Sequence, residues 1–134
     1  MNHPAIPDAT AILVDAADAI SHRAAQRDQP DGERSMGRCV QAFNALFGAT
    51  LTETQGWQFM ALLKIARSTG GALHMDDHTD HAAYAALAGE CAARQLAHAA
   101  QVDRDSAVAE ASIAHVKDLL ARRRADQHKP EDKL

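Results

Sequence analysis

This sequence predicts an all-α protein, a compact bundle of four to five helices, from three observations. Hydrophobic residues fill 46% of its 134 positions, yet aromatics make up only 4% and alanine is the commonest apolar residue. That composition favours helices and close helix–helix approach over sheets. Apolar residues recur at spacings of three and four, the helical period, with no strand-like alternation and no internal repeat. Glycine, proline and capping residues then divide the periodic stretches from one another.

Taken in order, Pro7-Asp8 opens a first helix whose apolar line is Ile12, Leu13, Ala16, Ala17, Ile20 and Ala24. The turn-forming, charged run 28–34 ends it. Ser35 can cap a short second helix with Met36, Cys39, Val40, Phe43 and Phe47 facing inward and Gly48 as its stop. Thr52-Glu53-Thr54-Gln55 fits a capping box, the strongest boundary signal in the chain. The third helix carries Trp57, Phe59, Met60, Leu62, Leu63 and Ile65, apolar nearly all round, and is expected to be central and buried. Gly70-Gly71 closes it. A fourth helix is expected from Asp76 or Asp77 through Tyr84, Leu87 and Cys91 to about Ala100. A fifth, over 106–124, carries Ile113, Val116 and Leu120 on one stripe. The domain expectation is one helical unit over 1–124 with a polar, frayed tail over 125–134.

Charge and composition narrow the function classes. A formal net charge of −4 argues against a binder of the nucleic-acid backbone. Without about 18 consecutive apolar residues, no membrane span is expected. The start Met1-Asn2-His3-Pro4 lacks a basic region followed by an apolar one, so no secretory signal is read and the cytoplasm is the expected compartment. Cys39 and Cys91, each on an apolar stripe, read as reduced core residues. Arg122-Arg123-Arg124 reads as a solvated helix end that suits the helix dipole.

The chemistry concentrates in two short segments. Lys64 and Arg67 lie three apart on one helix, and Asp77 and Asp80 lie three apart on the next, so each pair shares a face. At 100° per residue Lys64 falls within roughly 20° of Trp57 on the helix wheel. It therefore projects from an apolar face, where a lone ammonium is costly and needs a partner. Asp76, Asp77 and Asp80 are the nearest acids. One reading is an ion-pair network that locks helix three to helix four. The other is a phosphate-binding cation pair beside carboxylates that hold Mg²⁺, which commonly takes one or two carboxylates and completes its shell with substrate phosphate. Tyr84 follows Asp80 by four residues on the same face; its ring and that of Trp57 read as core or as a platform near a base. His74, His78 and His81, with Asp77, offer zinc-ligating residue types, but His74 precedes the helix and the other two can face solvent.

A longer pattern carries a resemblance. The run Arg27-Asp28-Gln29-Pro30-Asp31-Gly32-Glu33-Arg34-Ser35-Met36 is followed by Phe43-Asn44-Ala45-Leu46-Phe47-Gly48, Leu51-Thr52, Gly56-Trp57, Phe59-Met60, Leu63-Lys64 and Ala66-Arg67. Asp76-Asp77, Asp80 and Ala83-Tyr84-Ala85-Ala86-Leu87-Ala88-Gly89-Glu90 complete it. Over about residues 15–92 this order resembles a small, functionally uncharacterised family of tailed phages and prophages. That family is more remotely similar to the all-α nucleoside-triphosphate pyrophosphohydrolases of the MazG type, which are usually oligomeric helical bundles. Those enzymes use Mg²⁺ on an ExxE motif in one helix and an ExxD motif in the next. Asp77-His78-Thr79-Asp80 matches the second motif with Asp for Glu, while Lys64-Ile65-Ala66-Arg67 stands where the first would be.

The resemblance implies two candidate functions. In a MazG-like phosphohydrolase, Asp77 and Asp80, with Asp76 beside them, would hold Mg²⁺, and Lys64 and Arg67 would steady the phosphate of a bound nucleotide. Tyr84 or Trp57 would pack near the base, and Glu33 would orient the attacking water. Asp28, Asp31 or Glu33 would have to replace the missing ligands. In a non-catalytic helical protein, the same cations and aspartates would form a lock, and the 28–34 loop would contact a host or phage macromolecule. Both readings allow a homo-oligomer.

Overall fold

A computed structural model describes residues 6–26 and 35–127. They form four helices, α1 (Ala9–Gln26), α2 (Ser35–Phe47), α3 (Glu53–Ser68) and α4 (Met75–Gln127), with no strand among the described residues. The expected all-α class is the observed one. The chain divides into two units, Met1–Ala93 and Arg94–Leu134. No helix of the described residues is long and apolar enough to cross a membrane.

In the first unit the boundaries lie where local chemistry puts them. The Asp8 carboxylate accepts a 2.8 Å hydrogen bond from the Ala11 backbone N–H at the start of α1. At α3, the Thr52 hydroxyl accepts from the Gln55 N–H at 3.2 Å and the Gln55 side chain accepts from the Thr52 N–H at 2.8 Å. Gly48, at φ +64°, and Gly71, at φ +75°, reverse the chain after α2 and α3 in a backbone region that suits glycine. Between α2 and α3, the Asn44 side-chain amide donates to the Leu51 carbonyl at 2.9 Å and accepts from the Leu51 N–H at 3.0 Å. That clamp fixes the connection.

The core of this unit is small. Trp57, Leu87, Ala88 and Cys91 are buried together, with Ile20, Met36 and Tyr84 packed against them. Gly56 permits the approach of α2 to α3. A Cβ there would come within 2.5 Å of the Met36 sulfur and 2.8 Å of a Val40 methyl.

Three expectations are corrected. The third helix is not buried all round: Phe59 is 68% and Leu62 61% exposed, and Leu63 and Ile65 are also exposed, because only the Gly56-Trp57-Ala61-Lys64 line is covered. Likewise Cys39, Phe43 and Phe47 of α2 are exposed, and only Val40 on that helix is buried. Cys91 is buried as expected. Finally, the expected fourth and fifth helices are the single helix α4. The polar residues read as a break between them contain neither glycine nor proline, and their side chains brace the helix instead. Gln101 donates to the Asp105 carboxylate at 2.7 Å and Arg104 donates to the Gln101 side-chain Oε1 at 2.7 Å. Of the expected 125–134 tail, residues through Gln127 are helical and 128–134 lie outside the described residues. The 28–34 loop also lies outside them.

Candidate functional site

Lys64 reaches the site from the buried line of α3, and Asp77 and Asp80 reach it from the first turns of α4. All three are buried, at 6, 5 and 4% exposure. The ammonium of Lys64 lies 2.6 Å from a carboxylate oxygen of Asp80 and 3.4 Å from Oδ1 of Asp77. Arg67, one turn further along α3, places its Nε 3.7 Å from the same Asp77 oxygen while most of its side chain stays in solvent. Asp76 sits at the rim, exposed, with its carboxylate 4.0 Å from Lys64. The three-residue spacings on both helices therefore meet as the sequence predicts.

Two effects oppose each other at Lys64. Burial disfavours its charged form, and the hydrogen bond to Asp80 favours it; the hydrogen bond prevails, so the Lys64 pKa is raised above the ordinary lysine value of 10.5. Asp76 and Asp77 also occupy the first turn of α4, where carboxylates suit the positive end of the helix dipole.

Trp57 and Tyr84 stand on the same two helices, two turns before Lys64 and one turn after Asp80. Their rings stack with centroids 5.8 Å apart and planes 23° apart. They line a cavity of about 170 Å³ with Ile20, Met36, Met60 and Leu87. The Trp57 indole N–H is buried and has no hydrogen-bond partner among the described residues.

The arrangement does not fit a divalent cation. A metal bridging Asp77 and Asp80 would need the space and the oxygen lone pairs that the Lys64 ammonium occupies, and it would face that positive charge at close range. The zinc alternative fares no better. His74 and His78 are exposed, and among the described residues no three His, Cys, Asp or Glu side chains are grouped to hold a metal. Glu33, the candidate for orienting water, and the possible substitute ligands Asp28 and Asp31 lie outside the described residues.

Sequence reasoning missed the Asn44 clamp and the role of Gly56. A glycine inside a helical pattern was the available signal for the second, since it marks a close backbone approach; nothing in the sequence marked the first. Compared with known families, residues 11–92 match the model described as Domain of unknown function (DUF6378). No curated protein and no solved structure gives a significant match.

Proposed function

We propose, from the premise that this chain belongs to the DUF6378 family, that it is a non-catalytic helical binding protein whose paired aspartates serve a structural lock. Its setting is the cytoplasm of a cell that carries the phage or prophage, its fold is MazG-like, and its partner is a host or phage macromolecule. One observation carries the reading: a buried ammonium sits 2.6 and 3.4 Å from the two aspartates that a MazG-type enzyme would give to Mg²⁺. The exposed apolar side chains of α2 and α3 support a binding role. Phe43, Leu51 and Phe59 line an open hollow of about 310 Å³ with wholly apolar walls.

A second reading, a nucleotide-binding phosphohydrolase with a degenerate metal site, is favoured by the cavity at Trp57 and Tyr84. Stacked rings and an unpartnered indole N–H are features that suit a planar base with a hydrogen-bond acceptor. In that reading Lys64 and Arg67 would meet the phosphate.

A thermal-shift panel separates the two. The protein is melted with Mg²⁺ or Mn²⁺, alone and combined with nucleoside mono-, di- and triphosphates, because a ligand that binds the folded state raises the melting temperature by mass action. The binding-protein reading expects no shift in any combination. A shift that needs both metal and nucleotide, followed by release of a nucleoside monophosphate, would overturn it.

A further inference from the structure

The second unit carries a surface that neither the family match nor the proposed function explains. Residues 94–127 continue α4 beyond the matched span of 11–92. Every described side chain from 93 to 125 is exposed. A helix left wholly in water gains nothing from packing and is marginal on its own. Its sequence nonetheless contains a seam. Ala99, Val102, Ser106, Ala109, Ile113, Val116 and Leu120 follow one another at alternating spacings of three and four, with no charge on the line before Arg123. That is the heptad pattern of a two-helix interface.

The residues flanking the seam indicate what covers it. On one side, at a seven-residue repeat, stand Asp103, Glu110, Lys117 and Arg124, two acids followed by two bases. Among the described residues none of the four is paired within the chain. Laid antiparallel on a second copy, this edge complements itself: Asp103 meets Arg124 of the partner subunit and Glu110 meets Lys117 of the partner subunit, and two-fold symmetry repeats each pair. The same register sets Ile113 against Val116 and the small Ala109 against the large Leu120, so the seam interlocks by size as well. A parallel pairing would place like charges at matching heights and bring none of these pairs together.

We propose that residues 94–127 form an antiparallel two-helix interface with a second copy of this chain, aligned by the Asp103–Arg124 and Glu110–Lys117 pairs. The inference is independent of the site at Lys64.

Sedimentation equilibrium of the full chain tests it. A dimer is expected, weakening as salt is raised because the aligning charges are exposed. Ile113→Asp should give monomer while leaving the near-UV signal of Trp57 unchanged. Lys117→Glu should raise the dimer dissociation constant about tenfold or more at low salt, since it opposes Glu110 with a like charge twice. The swap Glu110→Lys with Lys117→Glu should restore it. A monomer at the highest attainable concentration, a dimer indifferent to Ile113→Asp, or a swap that fails to rescue Lys117→Glu would each overturn the proposal.

Discussion

The two units each hold an ion pair of nearly the same length, and the two pairs have different consequences. Lys64 and Asp80 are 2.6 Å apart and buried; Asp118 and Arg122 are 2.8 Å apart, one helical turn from each other, and largely in solvent. Distance does not distinguish them. Burial does, because water screens the second pair and replaces either partner at little cost, whereas removing one member of the first takes the nearest opposite charge from a group that water cannot reach. The first pair can therefore decide how α3 and α4 meet, and the second decides almost nothing.

The largest expected effect comes from breaking the buried network from its cationic side. Lys64→Met leaves Asp77 and Asp80 buried without the ammonium and should cost about 3–5 kcal/mol in urea unfolding. Adding Asp80→Leu should recover most of that loss, since Asp77 keeps Arg67. A double variant as unstable as the single one would mean that the ammonium contributes through packing and not charge. The same residue sets a pH signature. Its folded-state pKa is raised above 10.5, so its contribution is complete below the unfolded value and is lost as pH rises through the raised one. Wild-type stability should consequently fall on the alkaline side, and Lys64→Met should lack that component.

A smaller effect is expected at Gly56. Gly56→Ala improves helix propensity by about 1 kcal/mol but drives a methyl into Met36 and Val40, and overpacking of that kind costs about 1–3 kcal/mol. A net loss in thermal stability should follow, whereas a gain would show that α2 moves away freely. Smallest of all, Asp118→Ala should change stability by no more than about 0.5 kcal/mol in the same unfolding assay. A larger loss would mean that the face of the helix carrying Asp118 and Arg122, which points away from the seam, is also covered, and would erase the contrast between the units.

The residues that could be read from the sequence were those whose chemistry acts over one or two turns. The capping box at Thr52, the stop at Gly48 and the meeting of Lys64 with Asp77 and Asp80 all follow from spacing. Whether an apolar residue is buried depends on which neighbours exist, and spacing does not contain that. Phe59 and Leu62 have the same character as Trp57 yet lie in solvent, because no other helix of the first unit covers them. The false break after Ala100 had a related cause. Gln101, Arg104 and Asp105 are polar, and such residues bond along a helix as readily as they interrupt one.

The Lys64 lock also bears on the order in which the chain assembles. Lys64 and Asp77 are only thirteen positions apart. The entropy lost in closing so short a segment is modest, and it grows only with the logarithm of length. Contacts this local form early, before those that must draw distant parts of a chain together. The α3–α4 corner, like the α2–α3 connection clamped by Asn44, is thus placed to form early in the first unit, with the capping box at one end and the dipole-matched aspartates at the other. On this view α1 joins a corner that is already built, and substitutions at the lock slow folding where those on α1 chiefly hasten unfolding.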